Sequence, residues 1–336
     1  MENNLIHGYS PDPGLPEARE ATAVFLRSRK NIRGASASSV MLTCGANQAF
    51  VNALLTVTCP GDEVIIFAPY YFDHVFAVKL AGCSPITVDL VLDEEGYKID
   101  FDRLQKSLSP RTRVVVFVSP GNPTGRVPDI EETKTLCEFC NKNDLWLFSD
   151  ETYDMLTFAP ATHVSPATLM PTDRTVVMGS FSKTFGLAAW RVGYLCGPST
   201  DFVEEVIKVQ DALVVCAPVP SQMAALGALE QIDTFVPEAL AELTRRKDAM
   251  LSTLKDCKTL EAVEPRGGTS LLARITTKAF KDSFEYSKRL LQEKSVITVP
   301  GSAFGPRGEG HIRLSFGNQP PEVIAQAVER IREFEP

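Results

Sequence analysis

The fold is indicated most clearly by residues 175–191, TVVMGSFSKTFGLAAWR. Its first part, Thr175–Met178, is apolar almost throughout, which is typical of a strand buried on both faces of a parallel sheet. The segment then becomes a polar turn in which hydroxyl side chains flank Lys183, and Arg191 follows eight residues later. Two cations and several hydroxyls on one loop suit an anionic ligand. A lysine desolvated beside another cation can become a nucleophile toward carbonyls, although a solvated lysine in a polar turn has the same sequence.

Other segments have the same continuous apolar character, and helical patterns lie between them. Strands are predicted at Val40–Cys44, Glu63–Ala68, Val114–Val118 and Leu145–Phe148. Helices are predicted at Gln48–Val57, Val75–Leu80 and Glu131–Asn141. This alternation predicts a large α/β domain with a mostly parallel central sheet over residues 35–236, preceded by an N-terminal segment, residues 1–34.

The pattern changes after residue 236. A long charged helix is predicted first, and short strands alternate with helices after it, at Pro237–Asp256, Thr269–Ile275, Ser283–Glu293, Val296–Val299, Ile312–Phe316 and Pro321–Phe334. This order predicts a smaller α+β domain over residues 237–336. Two domains suit a chain of 336 residues, since domains usually contain roughly 100–200 residues.

The composition argues against several classes of protein. The formal net charge of -8 argues against a general nucleic-acid binder, which would usually be basic. No apolar run is long enough to span a membrane, and the N-terminus lacks the pattern of a signal peptide. Cysteines scattered singly predict a reduced, cytoplasmic protein. Cys137 and Cys140 share one face of a predicted helix, so buried thiols are favoured there and no metal site is expected.

Polar residues also follow other predicted strands. Asp150 and Tyr153 lie at the carboxyl end of an apolar strand, where ligands of open α/β sheets bind, although a helix cap would also explain the aspartate. Asn122 lies in residues 119–125, SPGNPTG, whose prolines and glycines predict a rigid turn, with or without a ligand. At residues 45–47 a strand passes into a helix, whose free N–H groups make an anion site unless the turn is only structural.

Taken together, these segments resemble the class I and II aminotransferases, enzymes that depend on pyridoxal 5′-phosphate (PLP). The resemblance extends from Tyr9 to the C-terminus. It rests mainly on SFSKTFGLAAWR (180–191), SPGNPTG (119–125) and SDETY (149–153), in the order and spacing that the family shows. It implies the PLP-dependent transferase fold type I, like that of aspartate aminotransferase, with a large α/β domain and a smaller α+β domain.

The resemblance also implies roles for the residues that match the family motifs. Lys183 matches the lysine that forms the Schiff base with PLP and moves the proton of the substrate α-carbon. Asp150 matches the carboxylate that pairs with the pyridine nitrogen, which makes the ring an electron sink. Tyr153 and Asn122 match donors to the phenolic oxygen of PLP, and Asn122 also matches a substrate-binding residue.

Further residues match the family's contacts to the two ends of the cofactor and to the substrate. The residues that match the phosphate cup are Ser180, Arg191, Gly45, Ala46 and Asn47. Tyr71 matches the aromatic residue stacked on the pyridine ring, although a core aromatic would give the same pattern. Arg313 matches the arginine that binds the substrate α-carboxylate through two parallel hydrogen bonds, with a surface ion pair as the alternative.

Tyr9 resembles the tyrosine that reaches the PLP phosphate of the neighbouring subunit. The resemblance therefore implies a homodimer with shared active sites, in which residues 1–34 contact the partner. Only eight residues precede Tyr9, whereas family members usually carry a longer segment that includes part of the lid. The shorter segment is either natural or the result of truncation, and in both cases it leaves lid closure and the exclusion of water open.

The implied function is amino-group transfer between an amino acid and a 2-oxo acid, with ping-pong kinetics, in amino acid metabolism. The same fold also hosts PLP-dependent β-lyases, cyclases and carbon–carbon bond-forming enzymes, and an inactive relic or a regulator is a third possibility. Residues 211–222 contain no lysine or arginine. Together with Tyr71 and Phe304, this favours neutral, aromatic or sulfur-containing substrates, because a dicarboxylate needs a further cation.

Overall fold

The computed structural model describes residues 4–93, 96–169 and 173–334. Residues 1–3 of the predicted N-terminal segment and residues 335–336 of the predicted C-terminal domain lie outside this range. A seven-stranded sheet forms the centre of the first two thirds of the chain, in the order β1-β9-β8-β7-β6-β2-β3. Its strands, with a separate hairpin β4–β5, are β1 (Val40–Thr43), β2 (Glu63–Ala68), β3 (Ser84–Asp89), β4 (Val91–Asp93), β5 (Gly96–Lys98), β6 (Thr112–Val118), β7 (Trp146–Asp150), β8 (Thr175–Ser180) and β9 (Gly193–Cys196).

The sheet is mostly parallel, which confirms the predicted fold class. Strands β3, β2, β6, β7 and β8 are parallel neighbours, while β9 lies antiparallel between β8 and β1. Strands β1 and β2 are buried along their whole length, as their continuous apolar sequences require. Because β9 reverses direction between two strands, the carboxyl end of β1 lies at the same edge of the sheet as those of the parallel strands.

Helices cover both faces of this sheet and bury its apolar side chains in clusters on either side. Several begin at a side chain that accepts a hydrogen bond from the first turn, such as Asp129 and Ser199. The helices are α1 (Pro16–Lys30), α2 (Ala46–Val57), α3 (Phe72–Leu80), α4 (Phe101–Lys106), α5 (Ile130–Lys142), α6 (Pro166–Leu169), α7 (Phe181–Thr184), α8 (Thr200–Val214), α9 (Val219–Glu230) and α10 (Ile232–Leu254).

The last third of the chain forms a four-stranded antiparallel sheet in the order β10-β11-β13-β12. It packs against α10 and the last two helices around one apolar cluster. The elements are β10 (Leu260–Ala262), β11 (Ser270–Ile275), α11 (Ser283–Lys294), β12 (Val299–Pro300), β13 (His311–Ser315) and α12 (Pro321–Arg332). We propose a domain boundary at residue 236 between the structures built on these two sheets, and α10 crosses it. We propose a second boundary at residue 34, between the N-terminal segment and the large domain.

In the last third of the chain, two elements differ most from their predicted starts. The charged helix begins at Ile232 rather than at Pro237, because the proline is accommodated inside the helix, where it removes one backbone hydrogen bond. The strand predicted at Val296–Val299 is found at Val299–Pro300. The preceding helix ends at Ser295 in a left-handed conformation, and the chain reaches β13 only at Val299.

Cys137 and Cys140 are both buried on α5, in the apolar cluster between that helix and the sheet. Burial raises the pKa of the Cys137 thiol to about 12, so the thiol stays protonated and apolar in character. In the described part of the chain, each helix is either too short or too polar to cross a lipid bilayer.

Candidate active site

Polar side chains from both sheets surround a cavity of about 340 Å³, which we call the central cavity. It lies at the carboxyl ends of the parallel strands, where ligands bind in open α/β sheets. The sequence-predicted residues that line it are Ala46, Asn47, Tyr71, Asn122, Asp150, Tyr153, Ser180, Lys183, Arg191 and Arg313. Most of these residues converge because they lie next to strand ends at this edge of the sheet, and Arg313 reaches the cavity from β13 of the second sheet.

Lys183 lies on α7, a single helical turn that follows directly from β8. The turn begins at Ser180, whose hydroxyl accepts a hydrogen bond from the backbone N–H of Ser182 at 3.0 Å. Partial burial, together with the charges of Arg313 and Arg191, lowers the pKa of the Lys183 amine. A lysine whose neutral form is favoured in this way is a better nucleophile toward a carbonyl carbon.

Asp150 ends β7 and is buried at the bottom of the central cavity. Its Oδ1 accepts hydrogen bonds from the backbone N–H and the hydroxyl of Thr152, at 3.0 and 2.7 Å. Its Oδ2 lies 3.1 Å from Nε2 of His74. Burial alone would raise the pKa of Asp150, but His74 and Thr152 lower it below its ordinary value. The carboxylate is therefore held ionised inside the protein.

His74 was missed in the sequence analysis. It is buried in α3, with its ring stacked on Phe50 at 4.4 Å between ring centroids. Helix α3 begins at Phe72, three residues before the predicted start, and this places His74 on the helix face toward Asp150. Its position three residues after Tyr71 was the available signal, since residues three apart share one helix face.

Arg191 and the start of α2 form a compact cationic corner of the cavity. The guanidinium donates a hydrogen bond from Nη1 to the carbonyl of Ala188 at 2.9 Å. Its Nη2 packs so closely on Gly45 that a Cβ at that position would lie 2.6 Å away. Gly45 itself has a φ of 81°, a conformation that favours glycine, and leads into the free N–H groups of α2. This arrangement suits an anion at the helix N-terminus.

Arg313 projects from the middle of β13 into the cavity. Its Nη1 donates a hydrogen bond to Oδ1 of Asn122 at 3.0 Å, which orients the side chains of both residues. Its guanidinium lies 5.1 Å from the ring centroid of Phe304, which is fully buried. Its Nε is buried, with no hydrogen-bond acceptor among the described residues. The guanidinium therefore retains capacity for a ligand.

Phe304 therefore packs against the guanidinium of Arg313 and does not line the central cavity as an apolar contact for a substrate. Polar groups that the sequence analysis did not name also line the cavity, namely Thr152, Thr269, Ser270, Ser315 and Asn318, together with Phe72. They lie beside predicted residues in chain order or on the neighbouring strand. The pairing of strands β11 and β13 places Ser270 opposite Ser315, and no local motif indicates this contact.

Tyr9, another predicted site residue, lies outside the central cavity and is 83% exposed. Tyr9 is not among the described residues that line the cavity. A larger crevice of about 720 Å³ lies elsewhere, between residues 127–130 and 263–266. Its lining contains neither a lysine nor the predicted site residues, so the smaller central cavity is the one equipped for chemistry.

Comparisons with known proteins identify the family to which this chain is similar. The family profile described as aminotransferase class I and II matches residues 1–331. An aspartate aminotransferase of Pyrococcus abyssi is 34% identical over 334 residues, covering 98% of this chain and 84% of that protein. An aromatic-amino-acid aminotransferase of Thermococcus litoralis is 32% identical over 334 residues, with coverages of 98% and 84%.

Solved structures give the same result. The crystal structure of an aromatic aminotransferase from Pyrococcus horikoshii superimposes with a TM-score of 0.92 at 34% identity, covering 97% of this chain and 87% of that chain. This likeness and the family match support the predicted fold and the predicted enzyme class. The chain therefore belongs to the class I and II aminotransferases, a family of enzymes that use pyridoxal 5′-phosphate.

Proposed function

We propose that this aminotransferase binds PLP in the central cavity through Lys183 and transfers amino groups between amino acids and 2-oxo acids. The observation that carries the proposal is the meeting of Lys183, Asp150 and two arginines in one cavity. The pKa shifts of Lys183 and Asp150 are in the directions that their proposed tasks require. The lowered pKa of Lys183 favours a neutral amine, and the lowered pKa of Asp150 favours an anion.

The described residues fit the two ends of PLP. At one end, Arg191, Ser180 and the N-terminus of α2 provide donors and positive charge for a phosphate. At the other end, the buried Asp150 carboxylate is placed to pair with the pyridine nitrogen. A buried anion with no lysine or arginine paired to it in the described structure is costly to maintain, so a cationic ring nitrogen is a suitable partner.

When bound, PLP supplies an electron sink for the negative charge that develops at the substrate α-carbon. Arg313 binds the substrate α-carboxylate, and this orients the α-proton toward the Lys183 amine. Lys183 would take that proton on Nζ and deliver it to C4′ of the cofactor, so it would act as general base and then as general acid. Tyr153 and Asn122 donate hydrogen bonds to the phenolic oxygen. Burial raises the pKa of Tyr153, which keeps its hydroxyl protonated for this role.

The proposal is tested by a half-reaction. Purified protein loaded with PLP is mixed with a panel of amino acids in the absence of any 2-oxo acid. We expect one equivalent of 2-oxo acid per site and no further turnover, and Lys183→Ala abolishes this release. Continued turnover with ammonia release would instead indicate a lyase, and no reaction with any donor would indicate an inactive protein.

The substrate preference that we propose is for neutral, aromatic or sulfur-containing amino acids. Among the described residues that line the central cavity, the lysines and arginines are Lys183, Arg191 and Arg313. Each has a proposed task, so a second substrate carboxylate would be desolvated without a cationic partner. Leaving such a group unpaired costs roughly 1–3 kcal/mol or more.

The measurement is kcat/KM for phenylalanine and methionine against aspartate and glutamate as donors. We expect the first pair to be preferred by about tenfold or more, which corresponds to about 1.4 kcal/mol. A preference for aspartate or glutamate would show that a cation from outside the described cavity lining enters the site.

We also propose a homodimer in which Tyr9 completes the phosphate site of the partner. Tyr9 is exposed and lies apart from its own cavity, and apolar side chains at Leu213, Val214 and Met223 are exposed as well. Hybrid dimers test this arrangement. A mixture of Tyr9→Ala and Lys183→Ala chains should regain activity, because one of the two sites then receives an intact lysine and an intact tyrosine.

A cytoplasmic location is part of the proposal. The eight cysteines are all free, and four of them are buried, which is typical of proteins kept in a reducing compartment. Localisation of a tagged chain in cell fractions is the corresponding test.

A further inference from the structure

We propose that Asp73 is a positioning residue that fixes the ring of Tyr71, which we call the aromatic platform, relative to the phosphate cup of the central cavity. The inference rests on the proposed PLP site and adds a residue to which neither the family motifs nor the comparisons assign a role. The structure places the Asp73 carboxylate between two side chains that come from different helices, Tyr71 and Asn47.

The first contact is to the platform. Tyr71 precedes α3 and lines the central cavity, and its hydroxyl donates a hydrogen bond to Oδ2 of Asp73 at 2.5 Å. Burial and the neighbouring carboxylate raise the pKa of Tyr71, so the phenol keeps its proton and acts as a donor. An aromatic ring tethered through its hydroxyl has less freedom to tilt, and this fixes the plane that it offers to a second ring.

The second contact is to the phosphate cup. Asn47 is the second residue of α2, beside the free N–H groups proposed to bind the phosphate. Its Nδ2 donates a hydrogen bond to the same Oδ2 of Asp73 at 2.8 Å. One carboxylate oxygen therefore accepts from a residue of the cup and from a residue of the platform. Hydrogen bonds to a charged acceptor are among the stronger ones in proteins.

The position of Asp73 suits this task. It lies in the first turn of α3, a helix of nine residues, where the helix dipole favours a negative side chain. It does not line the central cavity, so it acts through Tyr71 and Asn47 and not on a ligand directly. An anion close to the phosphate cup also opposes phosphate binding by repulsion. The Asp73 carboxylate thus weakens the binding of phosphate alone and strengthens the binding of a ligand that joins a phosphate to a flat ring.

The test compares two ligands of the cofactor-free protein, PLP and inorganic phosphate, in Asp73→Ala and wild type. We expect the dissociation constant for PLP to rise about tenfold, because the ring platform loses its tether. We expect inorganic phosphate, which needs only the cup, to bind with unchanged or higher affinity. Equilibrium dialysis of PLP, and competition of phosphate against it, provide both constants without any measurement of turnover.

Asp201→Ala is the matched control, since Asp201 is an exposed acid in the first turn of another helix, α8, and does not line the central cavity. It should change neither constant. In a Tyr71→Phe background, Asp73→Ala should change PLP binding by less than about twofold, because the hydroxyl that Asp73 holds is already absent. If Asp73→Ala does not fold, Asp73→Asn replaces it and should weaken PLP binding in the same direction.

Equal weakening of PLP and phosphate, unchanged PLP binding, or full additivity with Tyr71→Phe would each overturn the role of Asp73. These outcomes differ from a failure of the proposed function. If the wild-type protein itself does not bind PLP, the central assignment fails. If it binds PLP and Asp73→Ala does so equally well, only the positioning role fails.

Discussion

Replacing Lys30 should change the free energy of unfolding by an amount that the structure allows us to estimate. Lys30 is the last residue of α1 and is buried. Its Nζ lies 2.5 Å from Oε2 of Glu151 and 2.6 Å from Oδ2 of Asp154, and all three side chains are almost fully buried. It also donates a hydrogen bond to the hydroxyl of Tyr194 at 3.2 Å. Burial opposes the charge of Lys30, but Asp154 and Glu151 raise its pKa well above the ordinary value.

Lys30→Met removes the cation and leaves two buried carboxylates without it. Breaking a buried ion pair by removing one partner typically costs about 3–5 kcal/mol. The same change at Lys208, whose ion pair with Glu205 is exposed, should cost less than about 1 kcal/mol. The triple variant with Glu151→Gln and Asp154→Asn should recover part of the loss, because the uncompensated charges are gone.

The assay is urea unfolding of the cofactor-free proteins, followed by circular dichroism. For a slope of about 3 kcal/mol per molar urea, the midpoint of Lys30→Met should fall by about 1 M or more. A loss no larger than that of Lys208→Met would refute the reasoning. Such a result would mean that Glu151 and Asp154 become protonated or hydrated in the variant at a small cost in free energy.

Three further predictions follow from the charges and the close contacts of the site. Arg313→Gln removes one of the cations that lower the pKa of Lys183, so the pKa of Lys183 should rise. The pH dependence of amine modification in the cofactor-free protein measures this pKa. An unchanged pH dependence would contradict the effect of Arg313 on Lys183. Gly45→Ala should weaken PLP binding about tenfold or more, since its Cβ would lie 2.6 Å from the guanidinium of Arg191. Gly61 has a similar positive φ but open space around it, so Gly61→Ala shares the backbone strain and should leave PLP binding unchanged. Burial alone would raise the pKa of Glu151, but its buried basic neighbours lower it. This group therefore stabilises the fold above its ordinary pKa of 4.5, and the contribution is lost as pH falls below that value. Glu151→Gln should reduce the slope of unfolding free energy against pH in the acid range, and an equally steep slope in the variant would disprove the linkage.

The central sheet could be predicted well because its strands are buried on both faces. A continuous apolar run such as Glu63–Ala68 has few alternatives, and its observed bounds match the prediction. Strands β3 and β9 were not predicted. In Ser84–Asp89 at the sheet edge most residues are partly exposed, and Gly193–Cys196 has only four residues. Ser84–Asp89 therefore lacks apolar continuity, whereas Gly193–Cys196 is as short as β1 and begins with glycine, which weakens the strand pattern.

Site residues were predictable where chemistry and local sequence agree. Lys183 and Asp150 each follow a buried strand directly, so the edge of the sheet brings them together. The contacts of Asp73 and of Lys30 were not predictable in this way. Each resembles an ordinary surface charge on a helix. Only the tertiary structure shows that Lys30 is buried against residues that follow β7 and that Asp73 contacts α2.

The central claim is that Lys183 bonds the cofactor, and one measurement tests it most directly. The PLP-loaded protein is reduced with borohydride, which makes the bond between an amine and PLP permanent, and is then digested and mapped by mass spectrometry. The account predicts one phosphopyridoxyl group per chain, on the peptide that contains Lys183, and none on that peptide in Lys183→Ala. A label on another lysine, or no covalent label on protein that has bound PLP, would contradict the account.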